Sequence, residues 1–350
     1  MDATIKSQNT MKAVVCREYG SADTISIEKV PIPKTSANEV LVRVKAVSIN
    51  PYDRYLMRGE PYLARIQFGL FSPKAKGLGQ DFSGIVEAIG DSVTEFKVGD
   101  AVFGDVKQLF SNVDRAFAEY VPVTTDSIVL KPENIDFMQA AAIPMAARTA
   151  LLAVRNHKKL NFGDKVLING ASGGVGTFAI QIAKSFGAEV TAVCSTEKQS
   201  LARSLGADHV IDYTQQDFIR LEEQFDLILD VVSSRSFSDF GDLLAKDGVY
   251  VWVGASHVGA MFGPLWPFIK MSWVSTFMKN QTMVQAITPL LKEDLIYIRE
   301  LVEQQKIIPV IDREYPFAEL AKAINYLEEG HARGKVVISI DEGVNAEKLE

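Results

Sequence analysis

The sequence predicts a two-domain α/β protein, an antiparallel barrel-like unit followed by a doubly wound parallel sheet. Three observations predict it. A length of 350 residues exceeds most single compact domains and suits two. From Met11 to about Lys131 the chain is a series of short β-type runs divided by turn residues. Beyond Pro132 the pattern changes to strands alternating with helices.

The first unit is built from "MKAVVCREYG", "EVLVRVKAVSIN", "SGIVEAIG", "DAVFG" and "FAEYVPV". The Ala-rich run Phe137 to Val154 then reads as helices broken at Pro144, whose ring removes a donor and clashes with the preceding turn. "DKVLING" is a short apolar strand, Gly176 to Phe186 has helical periodicity, and "AEVTAVC" is a second strand, together one parallel β-α-β unit. "HVID", "FDLILDVV" and "GVYVWVG" supply further strands of the same sheet. Helices near Asp294 to Gln304 and Phe317 to Glu328 precede a last strand, "GKVVISI".

Composition narrows the function classes. A hydrophobic share of 47% and a charged share of 23% fit a globular enzyme with a substantial core. A net charge of −7 with no basic block makes nucleic acid a poor partner. Two cysteines, Cys16 and Cys194, are too few for a disulfide framework or a four-thiolate zinc site. The segment before Met11 shows neither an apolar signal core nor an Arg-rich transit pattern, so a cytoplasmic location is expected. The most apolar stretch, Met261 to Met278, is interrupted by Pro264, Pro267 and Lys270 and reads as a buried or pocket-covering segment with no stable membrane insertion.

A glycine cluster stands directly after the strand "DKVLI" and before a helix: Asn169-Gly170-Ala171-Ser172-Gly173-Gly174-Val175-Gly176. In that setting backbone N–H groups and a helix N-terminus face a pyrophosphate. Gly173 and Gly174 allow the backbone to approach the phosphates, and Gly176 allows helix and strand to pack closely. The end of the next strand carries Ser195 and Thr196, with Lys198 behind, where NAD enzymes place a carboxylate on the ribose. Hydroxyls and a cation suit a 2′-phosphate, so NADPH is the expected cofactor.

Several separated motifs in order carry a resemblance over nearly the whole chain: "VSINPYDRYLMRG", "GLGQDFSGIVEAIGDSVTEFKVGDAVFG", "LINGASGGVGTFAIQIAKSFGAEVTAV", "LGADHVIDY" and "HARGKVVI". The chain resembles the medium-chain dehydrogenases/reductases, and within them the zinc-free quinone oxidoreductase and zeta-crystallin group. The resemblance implies a GroES-like catalytic domain over residues 11–135, a Rossmann cofactor domain over 136–285, and a return to the catalytic domain over 286–342. It also implies a homodimer. Where zinc relatives carry G-H-E-x-x-G, this chain reads Gly79-Gln80-Asp81-Phe82-Ser83-Gly84, and Asn50 stands where a ligating Cys is expected. An amide is a poor zinc ligand, and the four-Cys structural lobe has no counterpart, so no metal is expected.

Without a Lewis acid, a conjugated acceptor is the tractable substrate, because hydride delivered to an enone or quinone spreads charge through the π-system. The resemblance places Asn50 and Tyr55 against nicotinamide and substrate, as hydrogen-bond donor and as donor or proton source. It places Tyr213 at the adenosine 2′-phosphate and Gly254 at the nicotinamide. Tyr52, Phe68 and the 261–278 segment are candidate walls for a small hydrophobic carbonyl or quinone, and Gln80 becomes a polar lining residue. An enoyl thioester reductase and an NADPH-binding protein without catalysis are the alternatives.

Overall fold

The structure is a computed structural model, and it describes residues 10–106, 116–233, 235–253, 281–285 and 291–340. Gly254 and the apolar segment 261–278 lie outside the described residues.

The first unit is organised on one long strand, β3 (Glu39–Ser48). Its Val40, Val42 and Val44 enter a shared core, and the alternate Arg43 and Lys45 are half-buried on the other side, the two-residue period of a pleated strand. Antiparallel partners β4 (Asp81–Ile89), β6 (Tyr120–Thr124) and β15 (Lys335–Ser339) all pair with it. Beyond β4 lie β5 (Ala101–Asp105) and β7 (Ile128–Leu130), and β14 (Ile311–Pro316) runs parallel to β15. A separate antiparallel pair is formed by β1 (Thr10–Cys16) and β2 (Ile25–Pro31).

The segment after β3 contains a helix that the sequence pattern did not announce. This is α1 (Pro51–Arg58), with proline in its first turn, where its missing N–H is no loss. The Asp53 carboxylate accepts from the Asn50 backbone N–H at 2.8 Å, and Arg58 sits in the last turn, so charge complements the helix dipole at both ends. A four-residue helix, α2 (Arg65–Phe68), follows.

Helices α3 (Phe137–Ala141) and α4 (Pro144–Arg155) lead into the second unit, with the break at Pro144 as expected. Its sheet is parallel throughout, in the order β10 (His209–Asp212), β9 (Glu189–Cys194), β8 (Lys165–Asn169), β11 (Phe225–Asp230), β12 (Leu244–Trp252) and β13 (Thr282–Gln285). The strand order reverses between β8 and β11, which opens a crevice at their carboxyl ends, the place where such sheets bind ligands. One face is covered by α4, α5 (Gly174–Ser185) and α7 (Lys292–Glu303); α6 (Gln199–Ser204) lies between β9 and β10 in sequence. The other face packs Phe218, Phe237 and Phe240 against Tyr250 and Trp252. The chain rejoins the first sheet through β14, α8 (Leu320–Glu328) and β15. A buried ion pair between Arg148 of α4 and Asp105 of β5 ties the two units together.

Candidate active site

The glycine cluster lies at the sheet crevice. Gly170 and Ala171 each donate a backbone N–H to Val193 O at 3.2 Å, which holds the loop against β9. Helix α5 then starts at Gly174 with no side-chain cap on Gly173, so its first turn keeps backbone donors for an anion. A Cβ on Gly176 would lie 2.2 Å from Gly170 O, so only glycine lets the helix approach the strand this closely. A Cβ on Gly173 would meet nothing nearer than 3.6 Å, which leaves open space above the loop. A glycine cradle, uncapped donors and open space fit a dinucleotide pyrophosphate. Ala171 and Ser172 are buried beneath it, and Val175 is half-buried against the sheet core.

The far end of the crevice is polar. Ser195 opens a 3-10 turn over Thr196–Lys198 at the end of β9. Lys198 is half-buried; desolvation, and then the neighbouring Arg333, push its ammonium below the ordinary range. Two cations held together in this way favour an anionic ligand. Arg333 meanwhile donates to Glu197 at 2.8 Å. Tyr213, just after β10, is 56% exposed and its backbone N–H is bonded to Cys194 O, so its ring is available at this end. The Thr196 hydroxyl donates to the Asp212 carboxylate, which also accepts from Thr214 and Gln199.

Between the loop and the first sheet lies a buried polar cluster. Asn50 is 2% exposed, Asp81 is fully buried and Lys335 is 4% exposed. The Asp81 carboxylate accepts from Ser48 Oγ at 3.1 Å, Asn50 Nδ2 at 3.0 Å and Met145 N at 3.1 Å. Lys335 Nζ donates to Asn50 Oδ1 at 2.5 Å and Ile49 O at 3.1 Å, and stands 3.7 Å from Asp81. Its stem runs past the cofactor loop, since a Cβ on Gly174 would come within 2.9 Å of Lys335 Cδ. Gly173 and Gly334 form a parallel bridge beside it. Desolvation pushes the Asp81 carboxyl up and the Lys335 ammonium down, and in each case the partner's charge opposes the shift.

Gln80 immediately precedes Asp81 in the chain. The Gln80 side chain is 2% exposed, and its Oε1 has no hydrogen-bond partner among the described residues. Also among the described residues, no three His, Cys, Asp or Glu side chains are grouped to hold a metal ion. Tyr55, on α1, is half-buried; burial pushes its phenol above the ordinary value, so it stays protonated through neutral pH. Tyr52 and Phe68 pack partly against the first core.

Residues 36–133 match the alcohol dehydrogenase GroES-like domain, and residues 205–338 match a family described as zinc-binding dehydrogenase. A chloroplastic NADPH-dependent alkenal/one oxidoreductase of Arabidopsis thaliana is 33% identical, over 96% of this chain and 81% of that protein. The chain belongs to the medium-chain dehydrogenase/reductase superfamily, in its quinone oxidoreductase group. The human mitochondrial NAD(P)H oxidoreductase RTN4IP1 is also 33% identical, over 97% of this chain and 92% of that one. The solved quinone oxidoreductase of Coxiella burnetii superposes with a TM-score of 0.82 at 30% identity, covering 95% of this chain and all of that one. The first unit is therefore the GroES-like domain of the superfamily and the second its Rossmann sheet.

The glycine turn between strand and helix was legible from sequence. Asp81, Lys335 and Arg333 were missed as site residues. Their signal was a lone charge at the start of an apolar strand, in "DFSGIV" and "GKVVISI", and an arginine directly before the second of these stretches.

Proposed function

We propose that the protein is an NADPH-dependent reductase that transfers hydride to quinones or α,β-unsaturated carbonyls without a metal. The observation that carries this reading is the buried Asn50 amide beside the cofactor loop, linked to it through Lys335 at Gly174. NADPH, when bound, supplies the hydride. The loop from Ala171 to Gly176 holds its pyrophosphate, and Ser195, Lys198, Tyr213 and Arg333 receive the 2′-phosphate. Hydride adds to the β-carbon of an enone, the π-electrons move onto the carbonyl oxygen, and Asn50 Nδ2–H stabilises the enolate oxygen. Tyr55, kept protonated by burial, supplies the proton that completes the saturated ketone.

The acceptor is flat and apolar. Tyr52 and Phe68 wall the site and Gln80 lines it. Tyr62, Leu63, Ile66 and Phe71, in the same segment as Phe68, are exposed apolar side chains that suit such a molecule. No helix among the described residues is long and apolar enough to cross a membrane. The chain works as a homodimer in the cytoplasm, where a reducing environment suits its two buried free thiols.

NADPH oxidation followed across quinone, alkenal, enone and enoyl-thioester panels tests this. Turnover is expected with the first three classes. Turnover restricted to thioesters would replace the substrate class, and tight NADPH binding with no turnover would overturn the enzyme. Purified protein is expected to contain no stoichiometric zinc, and about one zinc per chain would reject the reading of Asn50 and Gln80.

A further inference from the structure

Asn50 raises a question that its proximity to the cofactor loop does not answer. A carboxamide is nearly symmetric in shape and opposite in polarity at its two ends, so rotation by half a turn exchanges a donor for an acceptor at little steric cost. Only a donor stabilises the negative charge that develops on a reduced carbonyl or quinone oxygen. The side chain must therefore be held one way round.

We propose that Lys335, paired with Asp81, is the positioning residue that fixes the Asn50 amide so that an N–H, and not its carbonyl oxygen, is offered to the substrate. Lys335 Nζ takes the amide oxygen at 2.5 Å, and the Asp81 carboxylate takes one amide hydrogen at 3.0 Å. The second Nδ2 hydrogen is the one left for substrate. A rotated amide would set its NH2 against the ammonium and its oxygen against the carboxylate, two repulsive contacts in a water-excluded pocket. Charge-assisted bonds at both ends also polarise the amide and strengthen the donor that remains.

The pair is itself anchored. Ser48 and the Met145 backbone N–H hold Asp81, and the Ile49 carbonyl holds Lys335. The Lys335 stem against Gly174 connects this orientation to the loop that carries the cofactor. Burial disfavours either charge alone, so removing one partner leaves the other ion without compensation.

The inference rests on Asn50 acting as donor in the proposed function, and a double-mutant cycle tests it. Single-turnover hydride transfer is measured at saturating NADPH and quinone in the wild type, Asn50→Ala, Lys335→Met and the double variant, with NADPH affinity from fluorescence titration. Each single change is expected to slow hydride transfer by about 10- to 100-fold, and Lys335→Met to add less than about threefold once Asn50 is gone. Lys335→Arg should recover part of the rate. Effects that multiply, or a Lys335→Met loss confined to NADPH affinity, would overturn the proposal. If the lone Asp81 charge prevents folding, Asp81→Asn with Lys335→Met removes both charges and takes the place of Lys335→Met in the cycle. If the wild type reduces no acceptor, the proposed function fails by itself. The orientation is then read from the Asn50 side-chain amide NMR pair, identified by its loss in Asn50→Ala. Asp81→Asn must move one of its protons upfield, and an unmoved pair would reject the proposal.

Discussion

Gly173 and Gly176 stand three residues apart in the cofactor loop, and replacing each by alanine separates binding from folding. At Gly173 the backbone is extended, with φ −83° and ψ 179°, which alanine adopts freely, and its Cβ would stand 3.6 Å from the nearest atom. As a helix N-cap, alanine costs about 0.5–1 kcal/mol relative to glycine, while the stiffer unfolded chain returns about 0.4–1 kcal/mol. The melting temperature of Gly173→Ala should therefore move by less than about 2 °C. The same methyl fills the space above the loop, so NADPH affinity should fall about 30-fold, roughly 2 kcal/mol.

Gly176→Ala reverses the pattern. Its Cβ would lie 2.2 Å from Gly170 O, 2.6 Å from Ala171 C and 2.7 Å from Ala171 Cα, all backbone atoms that move only with the whole loop. Overpacking of about 3 kcal/mol exceeds the gain of about 1 kcal/mol in helix propensity. A net loss of about 2 kcal/mol lowers the melting temperature by about 4–8 °C. Differential scanning fluorimetry and NADPH fluorescence titration on both variants decide the matter. A Gly173→Ala protein that binds NADPH like the wild type, or melts several degrees lower, would refute the placement of the pyrophosphate.

Two further outcomes are expected. Lys198→Ala should weaken NADPH about tenfold and leave NADH within about twofold, because only the 2′-phosphate answers to that cation; equal losses in steady-state KM would remove it from the site. Glu328 accepts a two-pronged bond from Arg58, Nε–Oε1 at 2.8 Å and Nη2–Oε2 at 2.7 Å, which ties α1 and its Tyr55 to α8. Hydrogen bonding to Arg58 holds the Glu328 carboxyl below its ordinary value, so its stabilisation is present above that value and fades as the pH falls through the lowered one. Glu328→Gln should cost about 1 kcal/mol by urea unfolding at pH 7, with the difference from wild type shrinking below about pH 4; a constant difference down to pH 3 would show that charge is not its cause.

What the sequence revealed follows from what each signal depends on. The strands from "EVLVRVKAVSIN" and "DKVLI" are apolar because they are central, and the glycine loop is visible because a turn, a close approach and a helix start each demand a small residue at a set spacing. By contrast β2 ("ISIEKVP") and β14 ("IDREYP") are polar edge strands, whose partners lie on one side only, and no hydrophobic pattern announces them. Helix α1 was hidden by Asn50-Pro51, a pair that opens turns and helices alike. The Asn50, Asp81 and Lys335 cluster was invisible for a different reason. Its members come from β3's end, β4 and β15, and their pairing is a property of the folded sheet with no trace in local composition.

The pairing of β15 with β3 joins Val337 to Ser48 and Ile338 to Val47, almost the full length of the chain apart. A ribosome delivers residues 335–339 only after the whole parallel sheet has emerged, so the intervening unit has the chance to fold while β3 still waits for one of its neighbours. During that interval the Ala46–Ser48 end of β3 presents an unpaired edge, the kind of surface to which chaperones and stray strands attach. Synthesis that stalls between β13 and β15 would release a particle with its nucleotide crevice largely formed and its substrate side open. Quality control, and not the reaction, would be the first process to sense a defect in the final strand.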